Sequence, residues 1–360
     1  MATKKKISKN KPKKMKLSLK LIFRIILKPF FAIKRRISAF LDRRPHRSFR
    51  RTRRRDYIRS LKLPGYIKFT NYVLKTLWSN RKIFLLLTLV YAILSILLIG
   101  LGSQDTYSAL SDTMSTIGEN VNGFWGEISK AGLLSLSVAS GNLSGSLSES
   151  QQIFSFIIVL MAWLTTVWLL RNILAGHKIR LRDGIYGSGS PILPTFLVSL
   201  ILIVQLLPIA LVAIGYSAAA VTGLLDGGVE AMLFWFAAAL LVILSLYFIT
   251  STILALVIIT LPGMYPFKAI KIAGDLVLGR RFKILMRFLW MILVTVVIWA
   301  LIMIPMVIFD GWLKNTWKEI IWLPVIPIIL LVLSSATIIW VSSYIYLLYR
   351  RIVADESSQA

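Results

Sequence analysis

The sequence predicts an all-α polytopic membrane protein: six transmembrane helices, both termini in the cytoplasm, and basic amphipathic helices at the interface ahead of the first span. Three observations predict it. Hydrophobic residues make up 57% of the 360 residues, above the roughly 45–50% of soluble domains, and they gather in six long runs. The net charge is +28, and residues 1–82 hold nearly all of it, with 28 Lys/Arg against Asp42 and Asp56. The few basic residues after that point alternate loop by loop.

The six runs are 83–102, 153–170, 192–215, 232–261, 285–309 and about 320–349. Each approaches or exceeds the roughly 20 residues needed to cross about 30 Å of hydrocarbon. Backbone in lipid must satisfy its own hydrogen bonds, so the runs are helices. The fourth and sixth exceed the requirement, which predicts tilt or emergence from the bilayer. Between the first two lies an outer loop, 103–152. Within it Leu110, Met114, Ile117, Val121, Trp125 and Ile128 step by three or four, the spacing of an amphipathic helix.

Orientation follows from loop charge. Loop 171–191 carries Arg171, Lys178, Arg180 and Arg182, and loop 262–284 carries Lys268, Lys271, Arg280, Arg281 and Lys283. The tail 350–360 begins Arg350-Arg351. The opposite loops are poor in Lys/Arg, with only Lys130 in 103–152, none in 216–231, and Lys314 and Lys318 in 310–319. The positive-inside rule then puts both termini in the cytoplasm of a cytoplasmic (inner) membrane protein. Trp312, Trp317 and Trp322 are expected at the outer interface, and Tyr344, Tyr346 and Tyr349 at the inner one.

Residues 1–14 are Lys-rich and lack a hydrophobic pattern, the composition of a disordered tail. Residues 15–82 read as cytosolic interfacial helices. Lys16, Lys20, Arg24 and Lys28 recur every four residues, a basic stripe beside Leu, Ile and Phe. That pattern lies in a membrane interface, and Pro29 breaks it. The block Arg43–Arg55, "RRPHRSFRRTRRR", ends in Arg53, Arg54 and Arg55 and has one aromatic, Phe49. Stacking platforms for nucleic acid need more. Anionic lipid is the expected partner, at about 1 kcal/mol per Lys/Arg near the surface; nucleic acid is not, although another polyanion stays open for the arm. A second piece, 57–78, turns at Pro64-Gly65 and runs into the first span.

Two loops echo each other at an offset of 92. "DGIYGSGSPILPTFL" (183–197) and "DLVLGRRFKILMRFL" (275–289) share Asp183/Asp275, Gly187/Gly279, Ile192/Ile284, Leu193/Leu285, Phe196/Phe288 and Leu197/Leu289. The same offset lays 153–215 on 245–307, which predicts a duplicated helical hairpin with both copies in one orientation. Pro266 starts a short helix in the second copy, with Lys268, Lys271 and Asp275 on one face, ending near Gly279.

The stretch "ALVIITLPGMYPFKAIKIAGDLVLGRRFKILMRFLWMILV" (255–294) resembles the membrane domain of bacterial glycerophosphoryl diester phosphodiesterases and related multi-pass proteins of unknown role. The resemblance covers about 170–300. It implies membrane architecture only, because the family's catalytic barrel and metal-site motifs are not matched here.

Chemistry-bearing motifs are sparse. There is no cysteine, and no phosphate-binding loop, zinc-protease motif or nucleophile elbow occurs. No cofactor, metal or catalytic residue is expected. Arg280 and Arg281 join the lipid-phosphate candidates. Gln205 is the polar candidate within a span, read as an interhelical hydrogen bond; Asp226, Glu230 and Asp310 fall on the outer side. The expected function is that of a scaffold, assembly factor or accessory subunit in envelope or lipid processes, with membrane-protein partners. The alternative is a transporter or permease subunit.

Overall fold

A computed structural model describes residues 63–99, 149–225, 227–317 and 325–357, all within one compact unit, Leu61–Ala360. The stripe Lys16–Lys28, the arginine block, the outer stretch 103–148, Asp226 and Trp322 lie outside the described residues. The described chain is all-helical. Its helices are α1 (Tyr66–Ser79), α2 (Arg81–Ile99), α3 (Glu149–Leu174), α4 (Leu181–Gly187), α5 (Ile192–Val221), α6 (Gly228–Ile258), α7 (Pro266–Val277), α8 (Arg281–Thr316) and α9 (Val325–Ser357). Six of them, α2, α3, α5, α6, α8 and α9, are long and apolar enough to cross a membrane.

The chain enters through the elbow between α1 and α2. Here Ser79 Oγ donates to Lys75 O (2.8 Å) and Asn80 Nδ2 to Thr76 O (3.1 Å). Side chains that bond nearby carbonyls compete with the helix ladder, and the ladder breaks at Asn80. Helix α9 lies at the centre, packed on α2, α3, α6, α8 and the start of α1. Helix α5 packs mainly on α6. The main core gathers Phe84, Leu87, Leu169, Leu170, Leu254, Ile258, Ile284 and the α9 stretch from Ile339 to Ile352. Nearly all of these belong to the half of each span nearer the described chain ends, here called the basal end. A small second cluster, Met303, Val307, Ile326, Leu330 and Leu333, ties α8 to α9 at the distal end.

Helix lengths explain the uneven packing. Helix α6 has 31 residues and spans about 46 Å at 1.5 Å per residue, well beyond about 30 Å of hydrocarbon. Its surplus builds the basal core. The loop expected at 171–191 contains α4, and both short helices fold back along their predecessors. Ser188, just past α4, meets Thr165, about two and a half turns before the end of α3. Arg281, just past α7, donates from Nη1 to Tyr247 O (2.6 Å), about three turns before the end of α6. Pro266 occupies the first turn of α7, where its missing N–H costs no helical bond. Ala269 and Ala273 present a small-residue face, fully buried, that lets α7 lie close to α6.

The inner aromatic belt expected at Tyr344 and Tyr346 is corrected by burial. Tyr344 is fully buried and Tyr346 nearly so. Tyr344 meets Phe69 edge-on at 4.9 Å, so it works as a core residue joining α9 to α1. Trp312 and Trp317 are exposed at the distal end.

Candidate functional site

The two fold-back turns and α3 leave a cavity of about 230 Å³ at the basal end. Leu164, Trp168 and Arg171 of α3 form one wall. Gly187, Ser188, Ser190, Pro191 and Pro194 come from the α4–α5 turn, and Ile259 to Met264 from the α6–α7 turn.

Close packing sets its shape. A Cβ on Gly187 would lie 2.7 Å from the Trp168 ring, and one on Gly184 would lie 2.6 Å from Leu169. Glycine at both places lets α4 approach α3 closely enough to seat Ser188 against Thr165. The α4 start is capped by Asp183, whose Oδ2 accepts from the Arg180 backbone N–H at 3.1 Å; a carboxylate there also faces the positive helix end.

A chain of buried hydroxyls leads out of the cavity. Ser188 Oγ lies 3.0 Å from Thr165 Oγ1, which lies 2.8 Å from Tyr91 Oη on α2. Ser188 Oγ is also 3.1 Å from Ile185 O. Arg171 is the charged group of the cavity. Its Nη1 donates to Thr260 O at 2.9 Å, which ties α3 to the α6–α7 turn. Among the described residues no histidine, lysine or carboxylate lines the cavity, so none of them stands beside either serine as a base to activate its hydroxyl. The arrangement suits binding.

A second polar cluster joins α1, α8 and α9. Arg287 is buried. Its Nη2 donates to Pro64 O, and its guanidinium lies 4.2 Å from the Tyr66 ring centroid. Trp290 Nε1 donates to Thr70 Oγ1 at 3.0 Å. Tyr344 Oη and Arg287 Nη1 complete no hydrogen bond of good geometry among the described residues. These contacts clamp α1 to the bundle.

Of the residues singled out in the sequence, Lys16, Lys20, Arg24, Lys28, Arg53, Arg54 and Arg55 lie outside the described residues. Arg280, expected as a lipid-phosphate contact, is 2% exposed; it stands immediately before α8, whose start the fold-back carries into the core. Arg281 is half-buried and stacks on Tyr247 at 3.7 Å. Gln205 does join two helices, but through its main chain: Ser245 Oγ donates to Gln205 O, while the side-chain Oε1 has no hydrogen bond among the described residues. Asp183 and Gly187 line or brace the cavity turn, whereas Asp275 and Gly279 end α7 and the turn after it. Asp310 is buried at the distal end and Glu230 is exposed.

Sequence reasoning missed Arg171, Ser188 and Arg287 as site residues. The readable signal for Arg287 was an arginine inside an apolar run, the kind of residue that marks a specific partner in a membrane protein. Arg171 gave no such signal, since a basic residue at a span end is ordinarily topogenic. Comparison with protein-family models, with curated proteins and with solved structures finds no match to this chain.

Proposed function

We propose that the chain is an integral protein of the cytoplasmic membrane that works without catalysis of its own, as a scaffold, assembly factor or accessory subunit in envelope or lipid processes. The observation that carries this reading is the division between a packed end and an open one. Within an 18-residue apolar stretch of each helix, 11% of α5 and 17% of α8 is buried inside the chain, against 50% for α3 and α6. Much of α5 and one side of α8 are left for lipid and for membrane partners. The described Lys/Arg, Lys314 excepted, gather at the packed end, which supports a cytoplasmic basal end and termini. The basic head adds attraction to anionic lipid. The resemblance to phosphodiesterase membrane domains supports the architecture and carries no chemistry.

Cross-linking in cells with identification of the trapped partners tests the reading; a discrete membrane partner captured along α5 or α8 is the expected result. Orientation is tested separately, because the chain has no cysteine. A cysteine placed at Thr222 should react with an impermeant thiol reagent added outside, and one at Lys178 should not. Residues 1–60 as a peptide should become helical with anionic vesicles; a coil spectrum there would remove the interfacial helix.

The permease reading is favoured by one feature, the hydroxyl chain from the cavity to Tyr91 of α2. Saturable solute flux in proteoliposomes containing the purified chain would replace the scaffold reading with it.

A further inference from the structure

We propose that the basal cavity binds a phosphate-bearing anion, with Arg171 as its charge partner and Ser188 as the last donor of the hydroxyl chain from Tyr91. The pocket stands whether the chain is a scaffold or a permease.

Charge comes first. Among the described residues the lining holds one arginine and no carboxylate, so an anion entering it meets their attraction without their repulsion. Arg171 spends one N–H on Thr260 O, and no other hydrogen bond holds it among the described residues. The guanidinium is a planar fork whose remaining N–H groups match a phosphate or carboxylate edge.

The hydroxyl chain adds direction. Each hydroxyl has one proton to give. When Tyr91 donates to Thr165 and Thr165 donates to Ser188, the Ser188 proton is left for Ile185 O or for a ligand oxygen in the cavity. Chains that donate one way polarise each member toward the far end. The positive end of this chain is then Ser188, on the cavity wall. The start of α5 reinforces the same sign: Pro191 and Pro194 line the cavity at the N-terminal end of a 30-residue helix, where the macrodipole is positive.

The number of donors selects phosphate over carboxylate. The Arg171 fork alone satisfies the two oxygens of a carboxylate. Ser188, with Ser190 at the rim, gives donors for a third and fourth oxygen, which phosphate has. Leu164, Ile259, Leu261 and Met264 leave an apolar side for whatever body the phosphate carries. Free phosphate and a lipid headgroup share this chemistry.

The test is calorimetric titration of the full-length chain in uncharged detergent with two probes, inorganic phosphate and dihexanoyl phosphatidic acid. Saturable binding of either is expected. Arg171→Gln should weaken it by about tenfold or more, the loss of a charge-assisted contact. Ser188→Ala should weaken it by a smaller factor, and Lys268→Gln on the exposed face of α7 should bind as wild type. Saturation by phosphate alone identifies a free-anion site, and saturation only by the lipid identifies a headgroup site. If Arg171→Gln shows no thermal transition, Ser188→Ala and Ser190→Ala carry the test. The proposal is overturned by no saturable binding of either probe, or by binding that the folded cavity variants leave unchanged.

Discussion

In α3–α4–α5 the short helix has seven residues and packs through Gly184 and Gly187. In α6–α7–α8 it has twelve residues and packs through Ala269 and Ala273. The topology is the same: a long helix, a short one folded back, and a second long one starting part-way up the first. The local chemistry differs at every matched polar position. Asp183 caps the start of α4, whereas Asp275 sits in the last turn of α7. Gly187 makes room for the Trp168 ring, whereas Gly279 supplies a backbone φ of +76°. Thr195 is fully buried and bonds its own helix, from Oγ1 to Pro191 O at 2.6 Å. Arg287, 92 positions later, reaches to Pro64 on another segment. Each hairpin also holds a different part of the entry elbow. The first reaches α2 through Ser188, Thr165 and Tyr91; the second reaches α1 through Arg287 and Trp290. A shared spacing can keep a topology while the side chains inside it take different work.

The largest test of this difference is Arg287→Leu. It removes a charge-assisted hydrogen bond and a cation–π contact and leaves the Pro64 carbonyl without its donor, a loss of about 3 kcal/mol. The melting temperature in detergent should fall, and proteolysis near 63–65 should speed up because α1 loses its clamp. Thr195→Val, which breaks only a local bond, should cost much less. Similar losses at the two positions would erase the distinction between them.

The glycines come next. Gly187→Ala forces a Cβ against an aromatic ring that cannot swing aside as a leucine can, for about 2 kcal/mol. Gly279→Ala places a side chain in the left-handed region with open space around it, for about 1 kcal/mol. The distinguishing measurement is a second-site change: Trp168→Leu should recover part of the Gly187→Ala loss and none of the Gly279→Ala loss.

The six spans were legible because lipid and a packed core both demand apolar residues, so a run long enough to cross is visible either way. For the same reason the runs could not show which part faces which environment. The segment 254–258 of α6 belongs to the core, while Leu240 and Ile243 upstream are exposed; on paper they form one run. The depth of the fold-back was hidden too. A seven-residue helix holding two glycines reads as a loop, and its packing depends on Trp168 and Leu169, which the local pattern does not name. The site residues were hidden by distance. The partner of Arg171 lies 89 positions away and that of Arg287 lies 223 positions away, beyond any spacing rule for one helix. The block "RRPHRSFRRTRRR" was the loudest signal in the sequence, yet the described site rests on three residues outside it.

The smallest expected effect tests whether the Tyr91–Thr165–Ser188 chain acts as one unit. Tyr91→Phe removes the first donor and leaves the ring packing intact, for about 0.5–1 kcal/mol. Ser188→Ala removes the last member and should cost a similar amount. If the three hydroxyls polarise one another, the second substitution has less left to disrupt, and the double variant should lose less than the two single losses together. Thermal unfolding of the four proteins completes the cycle. Pairing Tyr91→Phe with Arg287→Leu gives the control, because the two hairpins hold the elbow through separate contacts and their losses should add. Additivity in both cycles would make the chain three unrelated bonds, and α2 would then be held to the first hairpin by the single Tyr91–Thr165 bond without help from Ser188.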